Sequence, residues 1–230
     1  MSKNSGGYMG IQIGKLGPAV GSMWKGRNVY RSYNPFVKNP RTPEQLKARE
    51  KFTILTQLAR MFSPASNFGF AYKANSEGVP QRSVFMKLNK DALTFNDPDF
   101  VINYADIRCA DGPVTPATFG TPTFADGKIT VPVTSTMEGI GLALDSDRIS
   151  LLAVLPNNGV SLFAEVDRAG ASQLEIEVPA AYLSDENPTA ELYGFTRTTV
   201  SEETFVEAYN GNMYPNMSSN STHIATLNLH

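Results

Sequence analysis

A chain of 230 residues with 41% hydrophobic and 18% charged content is long enough to bury a core, which excludes a disordered protein. One cysteine, Cys109, excludes an intrachain disulfide and a cysteine metal site. The net charge of −2 hides an imbalance: residues 1–51 hold ten Lys/Arg against Glu44 and Glu50, a balance of +8, while residues 52–230 hold ten against twenty acids, a balance of −10. A basic segment joined to an acidic body implies either an anionic partner or head-to-tail contact between copies.

Residues 1–10 are Gly/Ser/Asn-rich and lack the apolar run of a signal peptide, and no stretch approaches the length of a membrane span. The chain is therefore expected to be made in, and first stay in, the host cytoplasm. Ile11–Leu16 alternates as a strand does. Gly17-Pro18 and Gly21-Ser22 punctuate it, and Trp24–Arg31 resumes extended, with Val29 between Arg27 and Arg31. Period-two alternation puts those two cations on one face. Tyr33-Asn34-Pro35-Phe36-Val37-Lys38-Asn39-Pro40 reads as a proline-restrained connector. Residues 1–41 are accordingly expected to form an extended basic arm, or a hairpin.

A helix follows. Thr42 suits the N-cap, Pro43 the first helical position, and Gln45 completes a capping box. Ala48, Phe52, Leu55, Ala59 and Phe62 recur at helical spacing on one face, and Ser63-Pro64 ends it. Residues 66–82 read as an apolar patch and a polar loop with a turn at Glu77–Pro80. Ser83–Leu93 reads as a second, shorter helix or turn, and Phe100–Arg108 as a strand. Ala110-Asp111-Gly112-Pro113 then breaks the chain, so a domain of residues 42–112 is expected to end here.

Beyond it, β-branched runs alternate with turn signals, as in a small sandwich. Strands are expected near residues 121–124, 128–134, 139–144, 148–155, 161–168, 173–178 and 191–198. The second domain spans 113–208, and residues 209–230 form a polar tail with a short strand-like piece at Ile224–Leu227. The fold class is β-rich α+β: an extended basic N-terminal arm and one amphipathic helix, then an immunoglobulin- or fibronectin-III-like β-sandwich.

Catalytic motifs do not assemble. His223 and His230 both fall in the polar tail, which leaves no central base for a Ser-His-Asp arrangement. Asp145-Ser146-Asp147 opens like a calcium loop, but Ile149 stands where an oxygen ligand belongs, so a hairpin turn explains it better. Glu175 and Glu177 sit on the outward side of one strand. No cofactor or metal motif is present, and a non-enzymatic protein is expected.

The basic segment carries the candidate site: Lys15, Trp24, Lys25, Arg27, Tyr30, Arg31, Phe36, Lys38 and Arg41, with Tyr33 interleaved. Aromatics and arginines dominate protein interfaces, and the same set suits phosphates and stacked bases. Both a protein partner and a nucleic-acid partner stay open.

The run Gly17…Gly21-Ser22…Trp24-Lys25-Gly26…Val29-Tyr30-Arg31…Asn39-Pro40-Arg41-Thr42-Pro43…Gln45…Arg49…Phe52 resembles a motif in a family of proteins of Bacteroidetes and of their phages and prophages. Ser83–Asn89 and Asn103–Ile107 fit the same pattern. The family brings no activity with it. The resemblance implies a virion or phage-assembly role, with copies of this chain and other virion proteins as partners, no membrane, and a homo-oligomeric state. Nucleic-acid binding through the same arm is the alternative.

Overall fold

The computed structural model describes residues 3–5, 11–24, 27–36, 41–134, 146–184, 187–198 and 217–230. The chain divides into two compact units, Met1–Leu46 and Lys47–His230.

The first unit is a four-stranded antiparallel sheet rather than an extended arm. Its strands β1 (Lys3–Ser5), β2 (Ile11–Leu16), β3 (Ala19–Trp24) and β4 (Arg27–Ser32) lie side by side in chain order. Gly17, at φ +56°, supplies the left-handed residue of the β2–β3 turn. The Tyr33 N–H donates to Pro18 O at 2.7 Å and closes β4 back onto that turn. Gly21 needs its missing side chain for a different reason: a Cβ there would collide with the carbonyl oxygen of Gln12.

Four helices stand among the described residues, against one amphipathic helix and a second, shorter helix or turn expected at Ser83–Leu93. α1 (Pro43–Met61) starts as the sequence predicts, the Gln45 N–H donating to Thr42 Oγ1 at 3.4 Å. After the break at Ser63-Pro64 the chain turns helical again in α2 (Ser63–Gly69) and α3 (Ala71–Glu77), where a loop was expected. Here small residues do the packing: Ala65, Ser66, Gly69, Ala71 and Ala74 are buried. A Cβ on Gly69 would strike the Cys109 carbonyl, so backbone meets backbone at that point. Gly78, left-handed at φ +63°, caps α3 within the predicted turn. α4 (Gln81–Asn89) is tied down by buried Asn89, whose amide donates to Phe85 O and Arg108 O and accepts from the Arg108 N–H.

The strand expected over residues 100–108 is shorter. β5 (Leu93–Asn96) and β6 (Asp99–Ile102) form a hairpin, and a 3-10 turn at Tyr104–Asp106 follows. Two antiparallel sheets complete the body. One contains β7 (Thr118–Phe119), β8 (Thr123–Ala125), β9 (Lys128–Thr134) and β12 (Gln173–Glu177), with β7, β8 and β12 each paired to β9. The other runs β11-β10-β13-β14, from β10 (Arg148–Leu155), β11 (Val160–Asp167), β13 (Thr189–Arg197) and β14 (Thr222–Asn228). The strand expected at 139–144 lies outside the described residues.

β10 and β13 are buried on both faces, which is why Ile149–Leu155 reads as a nearly continuous apolar run. Ile149, Leu151, Ala153 and Leu155 of β10, with Ala190 and Leu192 of β13, face the β9–β12 sheet. Leu152, Val154, Tyr193 and Phe195 face the helices, against Leu58, Phe62, Phe70 and Phe85. Each Leu, Ile, Val or Phe among them contributes about 1.5–3 kcal/mol when fully buried. The Thr198 N–H donates to Met217 O at 2.9 Å and the Met217 N–H to Thr198 Oγ1 at 3.1 Å, which pins β13's exit beside the approach to β14.

Candidate functional site

In an antiparallel ladder, directly opposed residues share a face and successive residues alternate. β3 pairs with β4 through Val20↔Arg31, Ser22↔Val29 and Trp24↔Arg27, and with β2 through Lys15↔Val20. Lys15, Arg27, Val29 and Arg31 therefore stand on one face of the N-terminal sheet. Strand rise and spacing put Arg27 about 13 Å from Arg31, and Lys15 about 10 Å from Arg31 across two strands. Tyr33 joins them, with Lys15 Nζ 3.9 Å from its ring centroid, a contact of about 0.5–1 kcal/mol at an exposed site.

All three cations are exposed, and no ion pair among the described residues involves them. Sequence explains why: no Asp or Glu precedes Glu44.

The opposite face carries no charge. Leu16 opposes Ala19, Gly21 opposes Tyr30, and Met23 opposes Asn28. The ring edge of Tyr30 comes within 3.3 Å of the position a Gly21 Cβ would take. Leu16, Met23 and Tyr30 are each about half exposed, and Gly21 is the one fully buried residue among 12–23 and 27–36. The sequence reading passes over Leu16 and Met23, because alternation predicts an apolar residue inward and this sheet has almost no inside. Beyond β4, Asn34 Oδ1 accepts the Phe36 N–H at 3.0 Å, an Asx turn that presents a Phe36 ring 84% exposed.

Of the nine predicted site residues, the sheet thus gathers Lys15, Arg27 and Arg31 on one face and turns Tyr30 to the other. Trp24 is placed by its backbone pairing with Arg27, Phe36 follows β4, and Arg41 is exposed just before α1. Lys25 and Lys38 lie outside the described residues.

His223 corrects an expectation. It belongs not to a loose tail but to β14, which half-buried Ile224 and Leu227 hold against β13. Its Nε2 lies 2.8 Å from Glu191 Oε2, which also accepts from Thr226 Oγ1 at 2.9 Å. Beside this pair, Tyr193 donates its hydroxyl to Tyr104 O at 2.8 Å. Burial, then the Glu191 carboxylate, pushes the Tyr193 phenol up. Asp147 of the supposed calcium loop pairs instead with Arg168, while Glu175 and Glu177 are exposed on β12 as the alternation predicts.

The model of a family of unknown function, DUF6266, matches residues 11–205, reaching from the first residue of β2 past the end of β13 and stopping short of β14. No curated protein and no solved structure matches the chain.

Proposed function

The chain belongs to the DUF6266 family of unknown function, and we propose that it is a structural or assembly protein of a phage or prophage virion, docking on neighbouring subunits through its N-terminal sheet. The observation that carries this reading is a sheet with almost no core: Leu16, Met23, Tyr30 and Phe36 are exposed on a unit where Gly21 alone is buried among the described residues. Such a unit gains its apolar burial from something else. Charge selects the partner. The first unit carries seven Lys/Arg against one carboxylate, the second thirteen against twenty-one, so the acidic body of a neighbouring copy complements it. Docking rather than catalysis is its role, and the two facing body sheets form an immunoglobulin-like sandwich that is displayed or packed laterally. The virion setting rests on the resemblance of residues 17–52.

A second reading has its own observation: Lys15, Arg27 and Arg31 on one face, beside Tyr33, suit a phosphate backbone.

Light scattering on the full chain separates the two, at low and high salt, with nucleic acid removed and then restored. A defined oligomer without nucleic acid, dispersed by Tyr30→Ser with Phe36→Ser, is expected. A monomer that shifts only with nucleic acid, and releases it at high salt, favours the second reading.

A further inference from the structure

Two recesses flank the C-terminal half of α1, all within the body. One is an apolar groove of about 760 Å³ whose walls include Ile54, Leu58 and Met61 from α1, Ile102 from β6 and Val160 from β11. The other, of about 470 Å³, includes Arg60, Arg82, Thr56, Ser63 and Asn67 among its walls. Gln57 and Arg60 line both, so the two recesses adjoin across one helical turn. The Arg60 and Arg82 side chains share the second recess, and no Asp or Glu lines either cavity. Thr56 Oγ1 is buried there without a hydrogen-bond partner among the described residues. A guanidinium offers parallel N–H donors that match a carboxylate, and two of them here have no acid beside them in the recess walls.

We propose that the two adjoining recesses form a receptor site for an acidic, aromatic-bearing peptide segment, and that the segment comes from a second copy of this chain. The side chain enters the groove and carboxylates meet Arg60 and Arg82. Charge complementarity selects the segment. Residues 198–230 contain no Lys or Arg, and within them Ser201-Glu202-Glu203-Thr204-Phe205-Val206-Glu207 sets Phe205 among three carboxylates. The inference deepens the assembly reading by adding a contact independent of the N-terminal sheet.

The test uses a fluorescent synthetic peptide of residues 199–210 and the full chain carrying Glu202→Lys and Glu203→Lys, which removes competition from the chain's own segment. The peptide is expected to bind, by anisotropy, and to bind at least tenfold more weakly when Arg60→Glu and Arg82→Glu are added. A peptide with lysines at positions 202 and 203 is expected to bind a chain that carries Arg60→Glu and Arg82→Glu with its native Glu202 and Glu203, which shows that the charge-reversed receptor is folded. Tyr30→Ser with Phe36→Ser leaves peptide binding unchanged, so failure of the sheet reading stays distinguishable. No binding, or equal binding by the charge-reversed chain, overturns the site. A native chain that excludes the peptide equally at every chain concentration keeps its segment in its own recess, which overturns the second-copy assignment.

Discussion

Asp147 and Arg168 face each other 3.5 Å apart with both side chains fully buried. Arg168 Nη1 also donates to Thr115 O at 3.0 Å, and the Arg168 N–H donates to Asp147 O at 2.7 Å, so the pair locks the start of β10 to the end of β11. Removing one member strands the other charge in the interior. Arg168→Met is expected to cost about 3–5 kcal/mol, and Asp147→Asn with Arg168→Met together distinctly less. Urea unfolding of the three chains measures both quantities. A single variant as stable as the native chain would remove the pair from the account.

Acid stability turns on Glu165. Burial works against its charge. Against that, Arg197 donates two hydrogen bonds at 2.6 and 2.7 Å, Ser150 donates one at 2.8 Å, and Arg148 adds its own pull. The balance holds the carboxyl below its ordinary 4.5. A folded value below the unfolded one contributes stability that is present above 4.5 and lost as pH falls through the folded value. Glu165→Gln is expected to unfold more easily at pH 7 and to lose less on acidification. Urea midpoints taken from pH 7 down to 3 check the slope, and parallel curves would contradict it.

Cys109 is fully buried, and burial pushes its thiol up to about 12 despite the nearby Ser221 hydroxyl. The native chain is expected to resist iodoacetamide at pH 8, reacting at least about tenfold more slowly than the urea-unfolded chain. Mass spectrometry of timed samples reads the rate. Equal rates would mean that the 107–110 segment opens readily.

Two glycines separate the units by experiment. A Cβ on Gly194 would collide with the Phe119 ring, so Gly194→Ala is expected to cost the body about 1–3 kcal/mol by overpacking. Gly21→Val strikes the Gln12 backbone in the other unit and is expected to abolish assembly while leaving the body's urea midpoint in place. Light scattering beside denaturation distinguishes the two. A Gly21→Val chain that still assembles would free the sheet from the docking role.

How far the sequence carried depended on how local each signal was. The cap at Thr42 and the stop at Ser63-Pro64 are complete within a few residues, and α1 appears between them. Clean alternation in Leu174–Val178 made β12 legible for the same reason. α2 and α3 escaped notice because what buries them is smallness, Ala65, Gly69 and Ala74 allowing close approach, and hydrophobicity patterns register that weakly. β14 looked like tail because its strand is an edge, polar on one side and recognisable only once β13 is beside it. The candidate site was legible as a list of cations and aromatics. Its division into a cationic and an uncharged face needed the register, and the Arg60–Arg82 recess needed helices and strands far apart in the chain.

The clamp between Thr198 and Met217 has a practical consequence. Closing a loop of twice the length costs only about 0.6 kcal/mol, and here the two ends are already fastened by hydrogen bonds in both directions. The register of β13 against β14 is therefore set at the clamp itself, whatever the length of chain between its two ends.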